Sequence, residues 1–460
     1  MKRPRVADRE AERAARREKA MGGAAAGLTA CAIVLACARG GMLYDRFPTS
    51  VAASWFDLIS VPLAIVFLGL AMTAWVVADR RRAGCADPWV CAGTILGSGL
   101  LVWMLVCLTQ TPVLRAGLSV IALAVLGFGV SLVVGSVCRS RRRGGVIAAA
   151  LVSAATLLAV VGLQEYLTQW RAGDAAWRIF AGFAVPNFLA GFFVMTIPIT
   201  VALFLRARER TAVLATGFSL AMQLPALLLT QSRLGVLALA VGALAFGVGA
   251  LILRSYAKRA GGVWSAPARR RALGMAAFAL VVGAIAARPV IGRLRASGDQ
   301  SYSARFRVMT WWGVGDMIRA RPAMGVGPGA FDVRYPRHAR VGYTQHAHNS
   351  YLQQAAETGL PGALLLVGAF VAVIGAGIRG LRRVPRADGP DHDGIVLVGL
   401  LAGFAGALTH NVFDSDLFVP AIACAAGALA GLIVSYARPT TSGAAQAARS
   451  FHSAVWRVPI

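Results

Sequence analysis

Charged side chains are scarce in this chain, and its longest segments lack them almost completely. Only 15% of the 460 residues are charged, whereas 57% are hydrophobic and the mean hydropathy is +0.64. A soluble domain cannot bury so much apolar surface, so the composition argues against a soluble multi-domain protein. It predicts an all-α polytopic membrane protein.

About twelve apolar runs have the length of a membrane-spanning helix. None of them contains Lys or Arg, each of which costs about 2.5–3.5 kcal/mol at the centre of an inserted helix. The first and the ninth run are short and rich in Ala and Gly. The predicted runs are 21–38, 56–78, 88–109, 116–137, 144–164, 187–205, 211–230, 234–253, 272–287, 359–378, 394–413 and 418–436.

Acidic residues are also few, with 20 Asp and Glu against 47 Lys and Arg and a net charge of +27. Such a charge invites a nucleic-acid interpretation, but no recognition module of aromatic and basic residues accompanies it, so we expect no nucleic-acid partner. The basic residues instead concentrate in alternate loops, as the positive-inside rule describes. Both termini are therefore predicted to be cytoplasmic, with basic residues beside the runs binding anionic membrane lipids.

This topology divides the chain into five parts. A long outside loop separates the first nine helices from the last three, and loops of this length are commonly functional. None of the seven cysteines lies in the loop, and no Cys/His spacing resembles a zinc site. The predicted parts are a cytoplasmic basic segment (1–20), transmembrane helices 1–9 (21–287), a periplasmic loop with short helices (288–358), transmembrane helices 10–12 (359–436) and a cytoplasmic tail (437–460).

The most informative short segment is HAHNSYLQQ, which begins at His346 and is followed by GLPG at 359–362. His348 or Asn349 can cap a short polar helix, and Gly359 can end it. Histidine accepts or donates a proton near neutral pH. His348 is therefore a candidate base at the mouth of the bundle, and an ordinary capping histidine is the alternative.

The other histidines of this region receive structural interpretations. His338 and His346 are expected to be structural or peripheral. His410 lies near the outer end of the eleventh run, where it either lines the cavity or hydrogen-bonds a neighbouring carbonyl. We favour the hydrogen-bonded role.

Three outside arginines, Arg178, Arg233 and Arg305, suggest a diphosphate site. Arginine stays charged and offers a planar set of donors that suits phosphate oxygens. Arg233 lies in a very short loop between two apolar runs, where a charge needs an anionic partner or snorkels to the interface. Outside carboxylates are few, and we interpret none as a divalent-metal pair of a nucleotide-sugar enzyme. We expect metal-independent chemistry in which arginines stabilise the leaving diphosphate.

In this order and topology, these elements resemble the O-antigen ligase and O-antigen polymerase superfamily, over roughly residues 160–435. The family's His-Asn-x9-Gly-x-x-Gly element matches here with the right spacing. Two arginine elements and the connecting loop also look like those of the family. The matching residues are His348, Asn349, Gly359 and Gly362; Arg178, Gly182, Pro186 and Asn187; Ser232 and Arg233; and Arg305 to Trp311, Pro322, 325–331 and Tyr335.

The resemblance implies a GT-C-like membrane fold and glycan transfer at the periplasmic face of the bacterial inner membrane. His348 would be the catalytic base, and Arg178, Arg233 and Arg305 would bind the donor diphosphate. Asn349, Gly359 and Gly362 would support the loop. The displacement would be single and inverting, with neither metal nor cofactor. The implied partners are an undecaprenyl-diphosphate-linked glycan donor, a glycan or lipid A-core acceptor, and membrane lipids.

The matched positions do not separate a ligase from a polymerase of polysaccharide repeat units. The ligase is our leading hypothesis, and the polymerase is the alternative. A transporter of a lipid-linked or anionic solute would place ionisable residues inside its spans near the midplane. Here the polar residues gather at one face, which argues against transport. The first 150 residues match no pattern that we can specify.

Overall fold

In a computed structural model of the chain, the described residues are 20–34, 87–138, 140–259, 270, 274, 298–383 and 392–438. Within these ranges the secondary structure is helical, and no strand occurs. The α-helices described here are α1 (Ala20–Val34), α2 (Pro88–Cys107), α3 (Leu114–Val137), α4 (Arg141–Arg171), α5 (Pro186–Arg206), α6 (Arg210–Leu229), α7 (Arg233–Arg259), α8 (Gly298–Ala320), α9 (Phe331–Arg334), α10 (Ser350–Arg383), α11 (His392–His410) and α12 (Pro420–Ala437).

Nine of these helices, α2 to α7 and α10 to α12, are long and apolar enough to cross a membrane. They agree with nine of the predicted runs to within a few residues, apart from the longer α4 and α10. The predicted run 21–38 corresponds to the shorter helix α1. The runs 56–78 and 272–287 lie outside the described residues. The all-α polytopic architecture is confirmed, and the total of twelve spans and the GT-C-like arrangement stay predictions.

The centre of the bundle is built from helices rich in small residues. In the apolar windows of α5, α11 and α12, the buried shares are 72%, 72% and 83%, against 17% for α7. A Cβ atom on Gly242 of α7 would lie 2.9 Å from the Ala402 carbonyl oxygen of α11, and one on Gly431 of α12 would lie 2.6 Å from the Ser131 carbonyl oxygen of α3. Small residues at such crossings let helix backbones approach closely. α5, α11 and α12 therefore form the core around which the other spans pack.

Ion pairs mark one end of the bundle. Arg141 and Arg206 both contact Asp393, at 2.9 and 3.3 Å, and Arg383 contacts Asp87 at 3.2 Å. These arginines belong to the set predicted to face the cytoplasm. α10 ends here, so its start lies at the opposite end of the bundle. The predicted division of basic residues between two ends is confirmed for this group, and the side that faces the cytoplasm stays a prediction.

The loop between α7 and α10 packs against the bundle through its own small core. α8 lies in the segment predicted to be a loop with short helices, and its Trp311 Nε1 donates a 3.0 Å hydrogen bond to the Ala347 carbonyl. The backbone N–H groups of Val326 and Gly327 donate 2.9 Å hydrogen bonds to carbonyls of α10. The loop therefore has a fixed position above α10. Its buried apolar residues cluster with Ala356 of α10 and are Val314, Met317, Val326, Ala330, Phe331, Tyr335 and Ala347.

Candidate functional site

Asn349 caps the short first part of α10 and thereby places His348 directly before the helix. Its Oδ1 accepts hydrogen bonds from the backbone N–H groups of Tyr351 and Leu352, at 3.0 and 2.9 Å. This is the N-cap arrangement. The sequence allowed either His348 or Asn349 as the N-cap residue, and in the structure it is Asn349. His348 itself has a φ of +50°, in the left-handed region that few residues other than glycine adopt.

The imidazole of His348 faces a buried carboxylate. Its Nδ1 lies 3.6 Å from Oδ1 of Asp414, slightly beyond hydrogen-bond distance. The exposed fraction is 33% for the histidine side chain and 4% for the aspartate. The edge of the Phe306 ring supports the imidazole, with ring centroids 6.4 Å apart. Because Nδ1 is turned towards Asp414, Nε2 points away from it and is the nitrogen placed to meet a substrate.

Asp414 belongs to a hydrogen-bonded network that reaches two other elements. Its Oδ2 accepts a 3.0 Å hydrogen bond from Asn187 Nδ2, and Asn187 Oδ1 accepts one of 3.1 Å from Arg178 Nη2. Arg178 Nε donates a 2.9 Å bond to the Thr230 carbonyl. The network therefore links the start of α5, the turn before α7 and the turn after α11 to the histidine.

Electrostatics keep Asp414 ionised. Burial raises the pKa of its carboxyl group, but a contact with His348 and the charges of His410 and Arg307 lower it by more. The pKa of Asp414 therefore lies well below its ordinary value. A buried carboxylate held in this state can orient His348 and stabilise the imidazolium that forms when the ring takes a proton.

The three arginines predicted from sequence have different surroundings. Arg178 is partly buried and holds the Thr230 turn, whereas Arg233 is exposed at the start of α7. Ser232 Oγ caps α7 through a 3.2 Å hydrogen bond from the Gly235 N–H. Arg305 is exposed on α8. The structure thus connects the Arg178 and Arg233 elements through one turn, and diphosphate binding by the three arginines stays a prediction.

Arg307, which the sequence reasoning did not single out, is the arginine of α8 that faces the site. Its Nη2 lies 4.0 Å from Asp414 Oδ2, and its buried Nε makes no hydrogen bond to the described residues. Two helical positions separate it from Arg305, which therefore points to the opposite side of α8. Trp311, one turn further on, faces the bundle with Arg307. This spacing of four residues was the available sequence signal.

The sequence interpretation also passed over an Asp-x-Asp pair, Asp414 and Asp416. The two carboxylates have different partners, because Asp416 Oδ2 lies 2.5 Å from Nδ1 of the fully buried His410. His410 is therefore hydrogen-bonded, as preferred, but its partner is a side-chain carboxylate and not the predicted carbonyl. Within the described ranges, no group of three or more His, Cys, Asp or Glu side chains is placed to hold a metal ion.

Gln353 fixes the backbone next to His348. Its Oε1 accepts a 3.1 Å hydrogen bond from the Ala347 N–H, and its Nε2 lies 3.3 Å from His346 Nδ1 and from Glu357 Oε1. Glu357 in turn accepts a 2.8 Å bond from the Gly329 N–H. Burial lowers the pKa of His346, and the nearby His348 lowers it further. His346 thus belongs to the contacts that hold the loop, and its structural role stays a prediction.

Gly359 and Gly362 shape the passage from the loop into the membrane helix. Gly359 has φ +71° and ψ 176°, so α10 consists of a short helix and a long apolar one joined at a kink. A Cβ atom at Gly359 would meet the carbonyls of Pro322 and Ala323. At Gly362 it would meet Thr358, and the Trp103 ring at 3.3 Å. The predicted end of the short polar helix at Gly359 is confirmed.

A large cavity begins beside this region. Its volume is about 1100 Å³, and residues of α2, α3, α10 and α12 line it. Ser350 and Gln354 lie at the end near His348, and Arg141 and Arg383 lie at the other end. The lining between these ends is mainly apolar, so the cavity suits a long hydrocarbon chain.

The helices are long enough to span a membrane, so the structure is that of a membrane protein. A histidine, a carboxylate and arginines gather at one end of these helices and form a polar site. Residues 218–367 match the model of the protein family described as O-Antigen ligase. This segment contains Arg233, Arg305, Arg307 and His348, whereas Arg178, Asn187 and Asp414 lie outside it. This segment is therefore similar to the O-antigen ligase family, and the match supports a function of the general ligase or polymerase type. No curated protein matches the chain.

Proposed function

We propose that this protein is a glycosyltransferase that moves a glycan from undecaprenyl diphosphate to an acceptor hydroxyl, with lipid A-core as the acceptor. The observation that carries the proposal is the pairing of His348 with Asp414 beside several arginines, in a chain with a segment similar to the O-antigen ligase family. In this proposal the protein spans the bacterial inner membrane several times, with both termini cytoplasmic and the site periplasmic.

His348 acts as the general base. Asp414 holds Nδ1, so the lone pair of Nε2 accepts the proton of the acceptor hydroxyl as its oxygen attacks the anomeric carbon. The glycosidic bond to the diphosphate breaks on the opposite face, and the bonding electrons leave with the diphosphate. The product is inverted at the anomeric carbon. Positioned bases of this kind contribute about 10²- to 10⁴-fold to the rate.

Arginines take the negative charge that develops on the leaving group. Arg233 presents an exposed guanidinium group, and Arg178 holds the turn that carries it. On α8, Arg307 faces the site, whereas Arg305 points to the opposite side and does not contact the diphosphate in this proposal. Donors aimed at a developing charge stabilise the transition state more than the ground state. The apolar cavity that begins at Ser350 and Gln354 supports a binding path for the undecaprenyl chain.

The first test is transfer by purified protein from an undecaprenyl-diphosphate glycan. Wild type is compared with His348→Ala and with Gln345→Ala, a matched change at an exposed residue of the same loop. We expect His348→Ala to lose transfer by about 10²-fold or more while remaining folded, and Gln345→Ala to retain it. Transfer at the wild-type rate in His348→Ala would remove the proposed base.

The same assay separates the two members of the superfamily. Lipid A-core and a second lipid-linked repeat unit are offered as acceptors, and products are resolved by size. One glycan block on lipid A-core identifies a ligase, and a ladder on the lipid carrier identifies a polymerase. A chelator should leave the rate unchanged, since arginines replace the metal in this mechanism. A strict magnesium requirement would contradict that part of the proposal.

A further inference from the structure

A second, smaller pocket lies in the loop between α8 and α10, apart from the His348 site. Its volume is about 70 Å³. One water molecule needs about 10–15 Å³ of such a cavity, so the pocket has room for one small polyatomic group. Met317 and Val326 form its apolar side, and Arg321, Arg334, Arg337 and His338 form its polar side.

The pocket is strongly cationic. Three arginines and a histidine line it, and no carboxylate is among the described residues that do so. Asp316, next to Met317 in sequence, is already held by Arg319 and Arg340, at 2.8 and 2.6 Å. Its charge is thus shared between two other guanidinium groups, which leaves the pocket positive.

Arg334 gives the pocket a donor that needs an acceptor. Its Nε is buried and makes no hydrogen bond within the described part of the chain. An unsatisfied buried donor on a charged group is costly, and such groups ordinarily have a protein or solvent partner. An oxyanion in the pocket would supply the missing acceptor and would also neutralise the neighbouring arginines.

The walls of the pocket are held before any ligand arrives. The rings of Phe331 and Tyr335 stack with centroids 5.2 Å apart in the buried core of the loop. The His338 N–H donates a 2.8 Å hydrogen bond to the Tyr335 carbonyl. On the other side, Gly313 lets α8 approach the His338 backbone closely. Preorganised groups bind a ligand without a large ordering cost.

The location distinguishes this pocket from the reacting centre. Met317 lies ten residues beyond Arg307 along α8, which corresponds to about 15 Å at the helical rise. All of the described lining residues lie between 317 and 338, outside the membrane-spanning helices. A ligand group bound here is therefore extramembrane and remote from the hydroxyl at His348.

We propose that this pocket is a second oxyanion site that binds a phosphate group carried by the glycan acceptor. The phosphate chemistry follows from the pocket itself, and only the identity of the carrier rests on the proposed function. Guanidinium groups bind phosphate oxygens through paired hydrogen bonds. The site anchors the acceptor at a point distant from the attacking oxygen, so it contributes to acceptor affinity and not to the chemical step.

Binding is tested first with inorganic phosphate and the purified full chain, without any transfer reaction. Thermal unfolding is measured against phosphate concentration at constant ionic strength set with chloride. Wild type should be stabilised saturably, and Arg334→Gln and Arg337→Gln should require at least tenfold more phosphate. Arg171→Gln, a change at an exposed arginine at the end of α4, should behave as wild type. No stabilisation beyond chloride, or an equal loss in Arg171→Gln, would overturn the site.

The carrier is tested by transfer to phosphorylated and enzymatically dephosphorylated acceptor glycans. Arg334→Gln should raise KM severalfold for the phosphorylated acceptor alone, with kcat unchanged. Equal KM values for the two acceptors in wild type would overturn the acceptor assignment. Phosphate protection seen only in phosphatidylglycerol nanodiscs would also overturn it, in favour of a lipid. Wild-type transfer in His348→Ala would refute the proposed function and leave the phosphate-binding result intact.

Discussion

Asp414 turns one carboxylate oxygen to Nδ1 of His348, at 3.6 Å, although the two residues belong to different segments of the chain. The other oxygen accepts the hydrogen bond from Asn187. The position of the histidine is thus set by the turn after α11 and by the start of α5, in addition to its own loop. This relationship makes Asp414 the natural partner to test.

Replacing Asp414 with Asn should reduce kcat by about 10- to 100-fold, because a neutral amide neither stabilises the imidazolium nor selects the tautomer as a carboxylate does. KM for the donor should change little, since Asn keeps the size and the contact with Asn187. Steady-state transfer kinetics on folded protein measure both values. An unchanged kcat would show that Asp414 only supports the fold.

Replacing Arg233 with Lys should raise KM for the lipid-linked donor by about tenfold or more, although the charge is kept. The ammonium group lacks the planar set of donors that a diphosphate uses. Arg115→Lys provides the matched control, because Arg115 is an exposed arginine in the first turn of α3. If both variants bind the donor as wild type does, Arg233 does not contact the diphosphate.

The protein should become less stable as the pH decreases below about 6.5. The pKa of His346 in the folded protein is lowered by burial, so the unfolded chain binds its proton at a higher pH. The stabilising contribution is complete above the unfolded pKa and decreases as the pH falls towards the folded one. Melting temperatures at pH 7.5 and pH 5.5 should differ less in His346→Asn than in wild type. Equal differences would exclude His346 as the source.

Replacing Gly359 with Ala should destabilise the protein by about 2–3 kcal/mol and lower transfer. Its backbone angles suit glycine alone, and the new Cβ would press on the carbonyls of Pro322 and Ala323. Gly342→Ala is the control, because a Cβ there meets nothing within 4 Å. Denaturation of both variants measures the difference, and a Gly359→Ala protein as stable as the control would contradict the strained kink.

The sequence predicted the elements whose signals are local. Apolar runs gave nine spans, and the His348–Gly362 motif gave the cap and the kink. The contacts of Asp414 could not be predicted in this way, because they join the turn after α11 to Asn187 and to the loop. Arg307 was missed for a related reason: which face of α8 meets the bundle depends on packing with Trp311 and Ala347. The four-residue spacing of Arg307 and Trp311 shows that the two share a face of α8, but not that this face meets the bundle. Contacts between distant segments, such as those of Asp414, leave no spacing pattern in a single chain.

The left-handed backbone conformation of His348 affects which substitutions are stabilising at this position. A side chain with a Cβ atom costs about 1–3 kcal/mol in sparsely populated backbone regions, and glycine at the same position relieves it. His348→Gly should therefore fold at least as stably as wild type while it lacks the proposed base. Stability and the proposed activity favour different residues at this position, so screening for thermostability alone would select against the proposed base.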